Sequence, residues 1–103
     1  MSDTKEYVWL VHFDSHMNDE TEAFTIPCKT EQAARREFLA AMHNEEAFAI
    51  NEGYLSSCLR ANEDWSLSFE YKSKDISKWH WTLQQKGWPD YSHIWVVKAE
   101  LRQ

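Results

Sequence analysis

The strongest constraint on the fold of this chain is the strict alternation of apolar and polar residues at 64–72, DWSLSFEYK. Trp65, Leu67, Phe69 and Tyr71 would face one side of a strand, and small or charged side chains would face the other. A one-sided pattern is typical of an antiparallel strand with one solvated face. Residues 64–72 therefore predict a sheet, and the rest of the fold has to cover its apolar side.

Three further segments predict strands. Residues 6–14 place Tyr7, Trp9, Val11 and Phe13 on one face, and residues 23–28 predict a strand returning from a turn over 15–22. Pro27 lacks a backbone N–H, so we expect the returning strand to lie at an edge of the sheet. Residues 93–102 are apolar on both faces, which favours a more central position.

Three segments predict helices. Thr30 is a suitable N-cap for a first helix ending near residue 42, with Ala34, Phe38, Ala41 and Met42 on its buried face. We favour a second helix over residues 45–61, although a hairpin turning at residues 51–53 is an alternative. We favour a third over residues 74–86, since Gly87 and Pro89 resemble a helix ending.

These elements predict one α+β domain spanning residues 1–103. Its sheet has four strands and is mostly antiparallel, the element order is β-β-α-α-β-α-β, and two or three helices pack on one face. Leu, Ile, Val and Phe make up just under a fifth of the chain, whereas 6 Trp and 4 Tyr accompany the 5 Phe. We therefore expect a core that is aromatic rather than aliphatic.

Charge is distributed unevenly along the chain. Residues 1–52 hold 11 acidic and 4 basic side chains, whereas residues 53–103 hold 6 and 7. An acidic first half disfavours direct binding to nucleic acid and favours a partner with a basic surface. The first six residues are polar and no apolar run approaches about 20 residues, so we expect a cytoplasmic protein with no membrane contact. The two cysteines have no CxxC spacing, and we expect both thiols to be reduced and buried.

Known chemical motifs are scarce. Two glycines exclude a glycine-rich phosphate loop, and no serine has a nucleophile-elbow context. His12, Asp14 and His16 would lie on one strand face, but residues 12 and 16 are about 13 Å apart in a straight strand, too far to share a metal ion. We expect His12 and Asp14 to form a polar face and His16 to belong to the turn, with no cofactor. The less favoured enzymatic alternative is a metal-dependent enzyme, in which a bend brings the two histidines and Asp14 together, or a cysteine-dependent one, in which Cys28 or Cys58 pairs with a histidine.

The chain is thus predicted to be a small acidic, non-enzymatic protein that binds a protein partner. One form of this hypothesis is an inhibitor that blocks a nucleic-acid-binding protein by charge mimicry. The residues predicted to contact the partner are acidic or aromatic: Asp14, Asp19, Glu20, Glu22, Glu45, Glu46, Trp81, Trp88 and Tyr91.

Trp81 is exposed if residues 74–86 are helical and buried if residues 78–84 form a strand. The alternative function is a small-ligand-binding domain that stacks its ligand on the aromatics between Trp79 and Trp95.

Overall fold

A computed structural model describes residues 6–101 of the chain, so Arg102 of the predicted last strand and the polar start before Glu6 lie outside the described residues. The elements are β1 (Glu6–Met17), β2 (Glu20–Cys28), α1 (Glu31–Asn51), β3 (Trp65–Glu70), a 3-10 turn (Ile76–Lys78), β4 (His80–Gln85) and β5 (Tyr91–Leu101). The five strands form one antiparallel sheet in the order β2-β1-β5-β4-β3.

The prediction of a four-stranded sheet with two or three helices is therefore wrong. The described residues contain a five-stranded sheet and one α-helix. The predicted edge position of β2 and the central position of β5 are confirmed. Strand β1 also extends three residues beyond the prediction, because the turn is confined to Asn18 and Asp19, whose φ angles of 52° and 65° suit a two-residue hairpin turn.

A single helix replaces the two helices predicted over 30–42 and 45–61. Thr30 caps it as predicted, since its side chain accepts a hydrogen bond from the backbone N–H of Ala33. No glycine or proline interrupts residues 43–50, so the helix continues to Asn51. A Schellman motif follows the last helical residue. Gly53 has a φ of 82°, its N–H donates to the carbonyl of Ile50, and the N–H of Tyr54 donates to the carbonyl of Ala49.

Residues 74–86 do not form the predicted helix. Asp75 caps the short 3-10 turn, and β4 follows. Both the helical period and the strand alternation fit this segment, but only as a strand can it pair with β3 on one side and β5 on the other. Gly87, with φ of 75°, belongs to the β4–β5 turn and not to a helix end.

Helix α1 covers one face of the sheet, and the core lies between them. The core combines aromatic and aliphatic side chains, which corrects the expectation of an aromatic rather than an aliphatic core. Phe38 of α1 packs edge-on against Trp79 at 5.3 Å, and Trp81 is fully buried. The Trp81 indole N–H has no hydrogen-bond acceptor among the described residues. The opposite face of the sheet, which we call the open face, has no helix of the described chain packed against it.

Candidate functional site

A polar cleft lies between the second half of α1 and the far end of the β1–β2 hairpin. Its volume is about 530 Å³. It is lined by three carboxylates and four other side chains: Glu20, Glu22, Glu45, Ser15, Met17, Thr21 and Phe48. We call it the acidic cleft, because three of its lining residues are glutamates and none is basic.

The floor of the acidic cleft is a row of polar residues within an apolar face. In the strand register, Glu22 of β2 pairs with Ser15 of β1, and Ser15 pairs with Ser92 of β5. Ser92 is fully buried, and Ser15 is 8% exposed. The Ser92 hydroxyl donates a hydrogen bond of 2.8 Å to Glu45 of the helix above it. The Ser15 hydroxyl, which lines the cleft, has no hydrogen-bond partner among the described residues.

Glu45 is the least solvated of the acidic residues in the cleft. Burial raises the pKa of its carboxyl group, and the negative charge of Glu22 raises it further, while the hydrogen bond from Ser92 acts in the opposite direction. Two ion pairs occur between residues 6 and 101, Arg35 with Glu31 and His43 with Glu46. Glu45 therefore has no cationic partner within the described chain.

An exposed tryptophan lies at the same end of the molecule. Trp88 is 67% exposed in the β4–β5 turn. Its turn touches the tip of the β1–β2 hairpin, where the backbone N–H of Asn18 donates to the Asp90 carboxylate at 3.4 Å. Asp19 and Glu20 stand at that tip and are exposed. We call the two turns, together with the acidic cleft, the acidic end.

The other predicted contact residues lie elsewhere. Glu46 is 8% exposed on α1 and pairs with His43 at 3.4 Å. Trp81 is buried, which is the outcome expected for a strand over residues 78–84, because it points from β4 into the core. Its prediction as a partner contact is therefore wrong. Asp14 lies on the open face, where it accepts a hydrogen bond of 2.9 Å from Tyr91, and this bond raises the pKa of the tyrosine.

The open face carries four of the five histidines. His12, His16, His80 and His93 are half-buried there, and His12 and His80 pair with Trp95 across the strands. Trp95 stacks on His12 at 4.9 Å and on His93 at 4.4 Å between ring centroids. Burial is the main reason why the pKa of His93 is lowered, and the nearby His80 lowers it further. His16 is on β1 and not in a turn, which corrects the prediction.

The histidines do not make a metal site in this arrangement. Within residues 6–101, no group of three or more His, Cys, Asp or Glu side chains is placed to hold a metal ion. His12 and His16 instead contact the β2 hydroxyls, with Nδ1 to Oγ1 distances of 2.8 Å to Thr25 and 3.0 Å to Thr21.

Both cysteines are free. Cys28 is buried, as predicted, and burial is the main cause of its raised pKa. Cys58 is exposed, which corrects the prediction that it is buried; residues 52–64 form turns instead of a helix. Within residues 6–101, neither thiol forms a hydrogen bond with a histidine; the Cys28 thiol donates instead to the backbone carbonyl of Ile26.

Sequence reasoning missed the polar floor of the cleft and the gathering of histidines. Ser15 and Ser92 alternate in phase with the buried residues of their strands. This alternation is the signal that could have revealed the polar floor. His80 could be placed beside His12 and His93 only once β4 was known to pair with β5.

The chain matches no protein-family model, no curated protein and no solved structure. Among the described residues, no helix is long and apolar enough to cross a membrane.

Proposed function

We propose that this protein is a non-enzymatic binding protein whose acidic end contacts a basic surface of a protein partner. The observation that carries the proposal is the position of Trp88, an exposed tryptophan beside a concentration of carboxylates. Tryptophan is enriched among residues that dominate binding energy, and surrounding charge guides the approach of an oppositely charged partner.

Charge at the acidic end supports this proposal. Asp19, Glu20 and Asp90 lie in or next to the two turns, and the cleft adds Glu22 and Glu45. Lys86 lies in the β4–β5 turn and offsets one of these charges. A net negative surface of this kind attracts Lys- and Arg-rich surfaces and repels phosphate groups.

Charge mimicry of nucleic acid remains a narrower form of the same proposal. The six acidic residues predicted to contact the partner do not all lie together, because Asp14 is on the open face and Glu46 is buried on α1. The carboxylates at the acidic end are what a nucleic-acid-binding partner would meet. In that case the protein and DNA or RNA would compete for the partner.

The binding of ligands between stacked tryptophans has less support. Trp79 and Trp81 are 5% and 0% exposed, so neither offers a ring face to a ligand. Trp95 is half-buried on the open face, with a histidine stacked on each side.

The experiment that tests the proposal is affinity capture from lysate of the native host, at low and high salt, with identification of captured proteins by mass spectrometry. The bait is the wild-type protein, Trp88→Ala, or a variant combining Asp19→Asn, Glu20→Gln and Glu22→Gln. We expect a partner that wild type retains at low salt, that high salt releases and that both variants fail to capture.

A matched control removes three charges elsewhere. Glu37, Glu52 and Glu63 are exposed and do not line the cleft, so their combined change to glutamine alters net charge by the same amount. The control should retain the partner. A partner that the acidic-end variants capture as well as wild type does would overturn the proposal, and addition of DNA tests for the competition that mimicry requires.

A further inference from the structure

We propose that the acidic cleft receives the guanidinium group of an arginine side chain presented by the protein partner. This inference rests on the proposed function and specifies the contact that the cleft makes. The direction of the acceptors, the unpaired charge of Glu45 and the apolar walls of the cleft support it.

Acceptors enter the cleft from three elements. Glu45 projects from α1, Glu22 from β2, and the hydroxyl of Ser15 from β1. Ser15 is more than nine-tenths buried, yet its hydroxyl has no partner in the described chain, so it is an acceptor available to a ligand. A guanidinium group carries five N–H donors in a planar fork, which suits several acceptors at different angles better than a single ammonium does.

No cationic side chain of residues 6–101 offsets the charge of Glu45. Its carboxylate is partly withdrawn from water, and its close contact is the neutral hydroxyl of Ser92. Glu22, the charged group that raises the pKa of Glu45, is also negative. A singly charged cation in the cleft would neutralise one of these two negative charges and relieve the repulsion between the carboxylates. It would be held more strongly than at an open surface because solvent screens it less.

The apolar part of the cleft favours arginine over a metal ion. Met17 and Phe48 form walls beside the carboxylates. The methylene stem of an arginine can pack along such walls, and a guanidinium group stacks on an aromatic ring. The cleft carboxylates are not among any group placed to hold a metal ion within residues 6–101.

The test is an NMR titration of the ¹⁵N-labelled protein with N-acetyl-argininamide, with N-acetyl-citrullinamide as the neutral probe of similar shape. We expect the arginine probe to cause saturable shifts centred on Ser15, Glu22, Glu45 and Phe48, and the citrulline probe to cause none there. Glu45→Gln and Glu22→Gln should each weaken arginine binding by about fivefold or more, since each removes a charge-assisted bond. Glu37→Gln, on the exposed side of the same helix, should leave binding unchanged.

Each variant's own spectrum shows whether it is folded, so a loss of binding can be assigned to the cleft. Equal shifts from the two probes, or equal weakening by Glu37→Gln, would overturn the inference. If the arginine probe leaves the cleft unshifted while a partner is still captured through the acidic end, the inference fails and the proposed function stands. If no partner is captured either, both fail.

Discussion

At the scale of single residues, Glu45 and His93 are the two titratable groups whose burial bears most directly on the stability of this protein. Both lose solvation on folding, but in different places: Glu45 projects from α1 into the acidic cleft, and His93 lies on the open face. Desolvation disfavours the charged form of each group. Their effects on stability therefore run in opposite directions with pH.

Glu45→Gln should stabilise the protein near neutral pH. The pKa of Glu45 is raised in the folded state, so its charge opposes folding above that pKa, and the opposition disappears below its ordinary value of 4.5, where the carboxyl group is protonated in both states. Glutamine removes the charge and can still accept the bond from Ser92. Because the site is partly open to solvent, we expect a gain of about 0.5 kcal/mol, or roughly 2–4 °C in Tm.

Thermal unfolding at about pH 7.5 and about pH 4 checks this expectation. The variant should exceed wild type at the higher pH and approach it at the lower one. A variant that is less stable than wild type at both values would show that the Glu45 carboxylate supports the fold instead of opposing it.

His93→Gln should reduce the loss of stability on mild acidification. Burial, together with His80, holds the pKa of His93 below the ordinary 6.5, while Asp14 raises it by a smaller amount. The unfolded chain therefore takes up a proton first, and the free energy of unfolding falls as pH drops from about 6.5 through the lowered pKa. Urea unfolding at about pH 7.5 and about pH 5 should show a smaller difference for the variant. An equal difference would contradict this assignment.

At the scale of elements, local signals identified most of the strands, and pairing partners decided the rest. The alternation in β3 and the apolar faces of β1 and β5 were readable directly from sequence. So was the start of α1 at Thr30. Residues 80–85 were assigned to a helix because Ile76, Trp79 and Leu83 also fit a helical period. Pairing with β3 and β5 excludes a helix there, but the sequence of the segment itself does not reveal which strands it pairs with.

The end of the helix illustrates the same point. A Schellman ending was expected at Gly87 and occurs at Gly53. Both glycines adopt a positive φ, the conformation that glycine tolerates best. A glycine alone does not show whether a helix or a strand precedes it.

The pair Trp81→Ala and Trp88→Ala tests the assignment of β4 as a strand. Trp81 is fully buried and Trp88 is 67% exposed. We expect Trp81→Ala to cost about 3–5 kcal/mol and Trp88→Ala to change the free energy of unfolding by less than about 0.5 kcal/mol. Chemical denaturation of both variants gives the comparison. Similar small effects would place Trp81 at the surface, as a helix over residues 74–86 would.

Substitution of Gly53 tests the Schellman ending. An added Cβ would meet no atom within 4 Å, so the cost of alanine arises from the positive φ alone. We expect Gly53→Ala to destabilise the protein by about 1–2 kcal/mol. Gly53→Asn should cost less, because asparagine tolerates the left-handed region better. Equal losses for the two variants, measured by thermal unfolding, would argue against a backbone cause.

At the scale of the whole molecule, the fold separates two polar surfaces. The molecule is elongated, with extents of 57 × 27 × 19 Å, and its two hairpin turns touch at one end through Asn18 and Asp90. This contact brings Trp88 beside acidic residues that are about 70 positions away in sequence. Such proximity could not be predicted without the strand order, although each residue type was identified from sequence as a candidate contact.

Hydrogen–deuterium exchange of the protein, alone and bound to its captured partner, tests the central claim most directly. We expect binding to slow exchange at residues 15–22, 45–48 and 86–90, which form the acidic end. Residues 80–84 of β4, whose even-numbered side chains lie on the open face, should exchange at an unchanged rate. Protection confined to the open face, around His12, His80 and Trp95, would contradict it.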